Sequence, residues 1–257
     1  MEVSLDITMW ITLCAVGLLA GFIDAIVGGG GMLTIPTLLT VGLPPHVVLG
    51  TNKLAASFGS FTASLTFYRK KLFNPRFWRN TLIFTAIGAV IGTIVVSYIS
   101  VEILEKSLPL IIVATAIYTL LSKSHADNNH DLPKNDAKLQ TKQCIQGSIL
   151  GFYDGVAGPG TGAFWTASSS AIYKINILLS CGLAKANNFV SNILSLATFI
   201  YLGYVNFFIG ITLGLFIMLG AWIGAHSAIK FGGKFIRPLF ITVVIIMSAN
   251  LAYQAWF

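Results

Sequence analysis

Two segments of this chain carry the same uncommon motif. Residues 21–36 read GFIDAIVGGGGMLTIP and residues 151–166 read GFYDGVAGPGTGAFWT, so an aspartate stands four residues before a glycine cluster in each. A lysine follows at a closely matching position in both copies, as Lys53 and as Lys185. The chain is therefore expected to contain two related halves. Interrupted segments at corresponding positions of two halves indicate a binding site where the halves meet.

The hydrophobic composition places these halves in a membrane. Hydrophobic residues make up 55% of the chain and charged residues only 10%, against about a quarter in a soluble domain. Residues 80–100, 205–229 and 238–257 contain no acidic residue, lysine or arginine. Roughly twenty apolar residues are enough to cross the hydrocarbon core of a bilayer. We therefore predict an all-α polytopic membrane protein.

Basic residues predict the orientation of the helices. Lysine and arginine concentrate in three regions, which the positive-inside rule assigns to the cytoplasm. These residues are Arg69, Lys70, Lys71, Arg76 and Arg79; Lys123, Lys134, Lys138 and Lys142; and Lys230, Lys234 and Arg237. Crossings traced from these regions make the helix of Lys53 run inward and the helix of Lys185 run outward. The two halves are therefore expected to be inverted-topology repeats.

The predicted organisation has two repeats joined by a polar linker. The repeats cover residues 1–122 and 143–257, the linker at 123–142 is cytoplasmic, and both termini lie on the outer side. Each repeat contains a broken or re-entrant helix pair and three transmembrane helices, which gives eight to ten segments. The pairs are expected at about 7–27 with 32–43 and at about 143–157 with 161–173. The other crossings are expected at 46–68, 77–99, 103–122, 177–202, 206–229 and 235–257.

The glycine clusters predict breaks in the helices at membrane depth. Non-helical backbone survives there only where protein or a watery cavity satisfies its polar groups. A helix that restarts after a break presents free N–H groups and the positive end of its dipole, which suits an anion. Alternatively, the glycines only allow helices to pack closely. The residues assigned to this predicted anion site are Gly29, Gly30, Gly31, Gly160, Thr161 and Gly162.

Polar side chains near the two lysines extend the predicted site. An ionisable residue inside an apolar segment is costly and by default marks a functional site. In helical geometry Lys185 shares one face with Asn188, Asn192 and Ser195. The side chains assigned to substrate binding are Lys53, Lys185, Asn52, Thr51, Asn188 and Asn192. The alternative is that the lysines extend to the nearby membrane surface.

The two aspartates before the breaks have three possible roles. Asp24 and Asp154 could couple transport to a proton, pair with the lysines, or cap the backbone that the breaks expose. A carboxylate beside an anion site opposes anion binding unless its charge is neutralised. This consideration favours a structural role.

The sequence lacks the signatures of several other protein classes. The three cysteines are isolated and have no metal-like spacing, so we expect no metal site and no cofactor. An intramembrane enzyme would need a nucleophile–base pair or a metal cluster, and neither HExxH nor GxSxG is present. No GxxxxGK[ST] loop for ATP is present either. Transport by this chain is therefore expected to be passive or ion-coupled.

The paired motifs resemble those of one transporter family. The order G-F-x-D-x-x-x-G-G-G-G at 21–31, with Pro36 and GTNKLAASFGS at 50–60, is similar to the TauE/SafE family of sulfite exporters. The second signature is GFYDGVAGPGTGAFW at 151–165, and the likeness spans nearly the whole chain. The resemblance implies a permease of the bacterial inner membrane with about eight helices. It also implies organosulfur compounds and small sulfur anions as substrates.

These observations predict a secondary transporter for a small anion. Sulfite, a sulfonate or sulfoacetate is the expected substrate, moved by alternating access between the repeats. The alternatives are a passive anion channel built from the same residues and a permease for an anion without sulfur. A proton or sodium could serve as coupling ion. No nucleic-acid partner is expected, because the orientation of the chain in the bilayer accounts for its net charge of +7.

Overall fold

A computed structural model describes residues 6–103 and 132–232, where eight complete α-helices are found. These helices are α1 Ile7–Val27, α2 Gly31–Thr40, α3 Pro45–Arg69, α4 Arg79–Ser97, α5 Ala137–Val156, α6 Thr161–Tyr173, α7 Ile177–Tyr201 and α8 Phe207–Phe231. The described residues contain no strand, so the prediction of an all-α chain is confirmed for this part. The crossings expected at 103–122 and 235–257 lie outside the described residues, apart from residue 103, and so do both termini.

Helix lengths separate the membrane-crossing helices from the short ones. Among the described residues, α1, α4 and α8 are long and apolar enough to cross a membrane. Helices α3 and α7 have 25 residues each, which corresponds to about 37 Å at 1.5 Å per residue. Helices α2 and α6 have only 10 and 13 residues. They reach about 15 and 20 Å, which is less than the hydrocarbon core of roughly 30 Å.

Helix α5 begins earlier than the sequence predicts. We expected this helix to start at about residue 143, after the polar linker, but it starts at Ala137. Asp136 caps its first turn, because its side chain accepts a hydrogen bond of 2.7 Å from the amide of Leu139. Residues 137–142, which we had assigned to the linker, are therefore helical. A hydrophobicity-based boundary misses such a polar first turn.

Helices α1, α3 and α8 run in the same direction. Later residues of one helix contact later residues of its neighbour, as expected for parallel helices. The contacts are Leu54–Gly210 and Gly59–Ile217 between α3 and α8, and Gly17–Leu213 and Gly21–Ile217 between α1 and α8. Glycines at these positions let the backbones approach closely, as small residues do in membrane helix pairs.

Helices α4, α5 and α7 form a second parallel set. The contacts that place them so are Thr81–Gly147 and Ala89–Gly155 between α4 and α5, Thr85–Asn187 between α4 and α7, and Asp154–Ser191 between α5 and α7. The two sets have opposite directions, because α3 packs antiparallel on α7. Gly50 lies beside Phe199 at one end of that pair, and Phe67 lies beside Gly182 at the other.

Candidate functional site

Both glycine clusters interrupt the chain between helices, as the sequence predicts. Gly28 has a φ of +87° between α1 and α2, and Gly158 has a φ of +86° between α5 and α6. This left-handed region is readily available only to glycine, because a Cβ atom would clash with the backbone. The two breaks touch, since the carbonyl of Gly28 accepts a hydrogen bond of 3.2 Å from the amide of Ala163. The two interrupted helix pairs therefore meet at one place in the fold.

Two buried ion pairs connect the halves beside these breaks. Lys53 Nζ lies 2.8 Å from Asp154 Oδ1, and Lys185 Nζ lies 3.2 Å from Asp24 Oδ2. Each lysine therefore pairs with the aspartate of the other half. The lysine side chains are only 3% and 0% exposed, so they do not extend to a membrane surface. A buried lysine of this kind needs a partner, because an unpaired charge in the interior is strongly destabilising.

The two carboxylates have different surroundings. Besides Lys53, Asp154 accepts hydrogen bonds from the hydroxyls of Thr161, at 3.1 Å, and Ser191. Its side chain is 5% exposed. The Asp24 side chain is 24% exposed, and its Oδ1 accepts a hydrogen bond of 3.1 Å from the amide of Gly30. Two of the roles considered for the aspartates, pairing with lysine and capping the break, therefore coexist at Asp24.

A cavity of about 30 Å³ lies between the two breaks and the ion pairs. Its lining residues are Asp24, Gly28, Gly31, Asn52, Lys53, Ala56, Asp154, Gly158, Gly160, Gly162, Asn188 and Asn192. This volume holds about one water molecule. It is too small for an anion of four or more heavy atoms, so the site has to widen before such an anion binds.

Several lining groups lack a protein hydrogen-bond partner. In residues 6–103 and 132–232, no acceptor is found for the backbone amides of Gly31 and Gly162. The Oδ1 atom of Asn188 is buried without a partner in this part of the chain. The first amides of a helix normally have no partner within it, but a buried side-chain oxygen without a partner is uncommon, so Asn188 indicates where water or a ligand binds. Two of the three are backbone donors at the starts of α2 and α6, where the helix dipole is positive.

Most of the predicted site residues come together in the structure. The members that line the cavity are Asn52, Lys53, Asn188, Asn192, Gly31, Gly160 and Gly162, with Asp24 and Asp154. Three others contact the carboxylates: Lys185 and Gly30 bind Asp24, and Thr161 binds Asp154. The remaining two do not reach the cavity lining. Gly29 lies within the first break, and Thr51 accepts a hydrogen bond of 2.9 Å from the amide of Asn206 at the start of α8.

Sequence reasoning missed some residues that support the site. Ser191 binds Asp154, and Thr34 of α2 donates a hydrogen bond to Asn52. Asn192 was predicted, but its contacts were not: it connects the two long helices, because its Oδ1 lies 3.3 Å from Lys53 Nζ and its Nδ2 donates to Ser60 at 3.3 Å. Ser191 carried a usable signal, because it lies one helical turn from Asn188 on the lysine-bearing face. No sequence signal indicated Thr34, because its contact with Asn52 depends on how α2 packs against α3.

The fold and the site define a class of protein. Apolar helices of membrane-spanning length enclose a small polar cavity with buried charges at broken helices, which is the construction of a membrane transporter. The chain belongs to the sulfite exporter TauE/SafE family, whose model matches residues 13–251. The family resemblance noted in the sequence is thus confirmed.

Relatives of the chain carry transporter names. A probable membrane transporter protein of Haemophilus influenzae is 37% identical over 100% of this chain and 99% of its own length. The probable membrane transporter protein YfcA of Escherichia coli K12 is 34% identical over 93% of this chain and 88% of its own length. A sulfite exporter TauE/SafE family protein 3 of Arabidopsis thaliana is 30% identical over 41% of this chain and 22% of its own length. No solved structure matches the chain.

Proposed function

We propose that this protein is a secondary transporter that carries a small anion across the bacterial inner membrane by alternating access. Sulfite, a sulfonate or sulfoacetate is the proposed substrate. The observation that carries the proposal is the cavity at the two breaks, where unpartnered backbone amides lie beside two lysines. The substrate binds there between the two halves.

The charges at the cavity support an anionic substrate. The two lysines and the two aspartates balance, so the site does not carry the net negative charge that would repel an anion. The free amides of Gly31 and Gly162 supply hydrogen bonds at the positive ends of two helices, which is the usual way that proteins bind oxyanions. Asn188 and Asn192 add amide groups that can donate to a sulfonate or sulfite oxygen.

The directions of the helices support two inverted repeats. Helices α1, α3 and α4 correspond by sequence to α5, α7 and α8, and each member of a pair runs opposite to its counterpart. The ion pairs have the same symmetry, because the lysine of each half pairs with the aspartate of the other half. If the basic loops are cytoplasmic, α1, α3 and α8 run inward and α4, α5 and α7 run outward. Rocking of one repeat against the other would then open the cavity to each side in turn.

The small volume of the cavity supports a carrier rather than a channel. A conducting channel needs a continuous path as wide as the anion, whereas an alternating-access carrier also passes through narrow states. The sulfur-containing substrate class is proposed from the family to which the chain belongs. The Arabidopsis relative is also named for sulfite export, although it covers less than half of this chain.

Binding of candidate anions to the purified protein tests the proposal. We would measure the thermal unfolding midpoint with sulfite, sulfoacetate, taurine, thiosulfate, sulfate and chloride. A ligand at one hundred times its Kd stabilises the folded protein by about 2.7 kcal/mol, which gives a clear shift. A selective shift with a sulfur anion is expected. No shift with any of the anions would overturn the proposed substrate class.

Substitution of Asn188 by alanine tests whether the cavity is the binding site. We expect a 3- to 10-fold weaker affinity for the stabilising anion, because a single hydrogen bond contributes roughly 0.5–1.5 kcal/mol. The matched control is Asn74→Ala, since Asn74 is exposed in the loop between α3 and α4. Equal affinities for the two variants would place the binding site elsewhere.

A further inference from the structure

We propose that Asp24 carries the proton that couples anion movement to a proton gradient, whereas Asp154 serves to hold Lys53 in place. This inference rests on the proposed anion transport and assigns its coupling ion. It starts from the difference between two ion pairs that occupy equivalent places in the two halves. Of the two carboxylates, Asp24 is the one whose surroundings allow it to take up and release a proton.

Asp154 is bound by more donors than Asp24. Its oxygens accept hydrogen bonds from three side chains, Lys53, Thr161 and Ser191. Both side chains of the Lys53–Asp154 pair are almost fully buried. If Asp154 lost its charge, Lys53 would keep only the neutral amide oxygen of Asn192, 3.3 Å away, as a side-chain partner among the described residues.

Asp24 accepts fewer side-chain hydrogen bonds than Asp154 and is more exposed. Its carboxylate accepts from the Gly30 amide and from Lys185 at the longer distance of 3.2 Å, and it borders the cavity with a quarter of its side chain exposed. Lys185 also donates to the backbone carbonyl of Asp24. Lys185 therefore keeps a hydrogen-bond partner when the carboxylate becomes neutral. Once the Asp24 carboxylate is neutral, the positive charge of Lys185 beside the cavity is no longer balanced.

The helices packed around Asp24 bring few other charged or titratable groups close to its carboxylate. The charged or titratable groups nearest to it are Lys53 of α3, Asp154 of α5, and Lys185 and Cys181 of α7. Helix α2 carries no such residue, and the one on α6, Tyr173, lies at the far end of that helix. On α8, both His226 and Lys230 are exposed. His226 binds the carbonyl of Trp222 in its own helix, and the Lys230 ammonium lies over the ring of Phe231.

Charge balance then couples the two ligands. With both aspartates ionised, the two lysines are neutralised, and an entering anion makes the site negative in a medium of low dielectric constant. A proton on Asp24 removes one negative charge, which balances a singly charged anion and offsets half the charge of a dianion such as sulfoacetate. A hard cation such as sodium needs several oxygen ligands, but the groups that bind the Asp24 carboxylate are donors. A proton needs only one carboxylate oxygen. Anion and proton therefore bind together and cross together.

Proton uptake on binding provides a test that needs no variant. Sulfoacetate is the probe, because both of its acid groups stay ionised near neutral pH and it brings no proton of its own. Calorimetric titration of wild-type protein in two buffers of different ionisation enthalpy is expected to give about one proton taken up per anion. The affinity should rise by up to about tenfold for each pH unit of acidification. Binding without proton uptake would overturn the proposal.

Accumulation in proteoliposomes tests the role of Asp24 itself. With the membrane potential clamped at zero, an inward proton gradient of one pH unit supports up to about tenfold accumulation of sulfoacetate in a one-to-one cotransporter. We expect wild type and Asp24→Glu to accumulate sulfoacetate, and Asp24→Asn only to equilibrate it, at a reduced rate. Counterflow is measured in parallel, with size-exclusion profiles as the folding control.

The outcomes separate the coupling mechanism from transport itself. Counterflow by wild type without gradient-driven accumulation would overturn proton coupling and leave the proposed transport standing. Accumulation by Asp24→Asn equal to that of wild type would overturn the assignment of the proton to Asp24. The absence of both counterflow and accumulation in wild type would overturn the proposed transport of sulfoacetate, together with the coupling that rests on it.

Discussion

Substitution of either buried lysine by glutamine is expected to reduce anion transport at least about 100-fold. Each change removes a positive charge at the cavity. Lys53→Gln leaves Asp154 as an uncompensated buried carboxylate, whereas Lys185→Gln leaves Asp24, whose side chain is 24% exposed, without its cation. Breaking a buried pair in this way costs about 3–5 kcal/mol, which is larger than most single contacts contribute. Initial rates of anion uptake into proteoliposomes, with Lys53→Gln and Lys185→Gln measured separately, provide the test.

Two further variants separate loss of function from loss of fold. Lys70→Gln removes an exposed lysine just after α3 and is expected to transport normally. The double variant Lys53→Gln/Asp154→Asn removes both charges of one pair, so no buried charge is left unpaired. We expect it to be folded, with a thermal midpoint above that of Lys53→Gln, and still inactive. Normal transport by a variant that lacks both lysines would refute the lysine site.

Replacement of Gly28 by alanine is expected to abolish transport and to destabilise the protein. A Cβ atom at this position would run into the backbone of Gly162 in the opposite break, at the place where the halves touch. The residue also has a positive φ, which costs a non-glycine residue roughly 1–2 kcal/mol. The thermal midpoint and the rate of anion uptake measure the two effects.

Gly42→Ala is a matched control for this change. Gly42 has a φ of +85°, nearly the same as Gly28, but a Cβ atom there would meet nothing within 4 Å. The two alanine variants therefore carry a similar backbone penalty, and only the one at Gly28 forces the breaks apart. We expect Gly42→Ala to keep its transport activity. Equal behaviour of the two variants would mean that the contact between the breaks is unimportant.

Local signals in the sequence account for most of the helical pattern. The glycine clusters placed the ends of α1 and the start of α6 correctly, because left-handed backbone and loss of helix are intrinsic to those residues. The predicted start of α5 at about residue 143 was wrong, because the helix begins at Ala137. The cap by Asp136 is a polar signal in a segment that was interpreted as linker. The expected helices at 103–122 and 235–257 lie outside the described residues and stay predictions.

The partners within the site could not be predicted from the sequence. Asp154 pairs with Lys53 and Asp24 with Lys185, although each pair is separated by more than 100 residues along the chain. Sequence reasoning left pairing, capping and proton coupling open, because these depend on how the halves pack. Thr51 was assigned to the site through its proximity to Lys53. Two residues along a helix correspond to a rotation of about 200°, so its side chain is directed to α8 instead.

Counterflow is the most direct test of an anion carrier built around the two breaks. Proteoliposomes loaded with unlabelled sulfoacetate would be diluted into a trace of the labelled anion, with Lys53→Gln as the inactive comparison. A transient, saturable uptake of label by wild type, absent from the variant, is the predicted result. Uptake that needs no internal anion and does not saturate would indicate a channel, and the absence of uptake with sulfoacetate, sulfite and taurine alike would contradict the proposed substrate class.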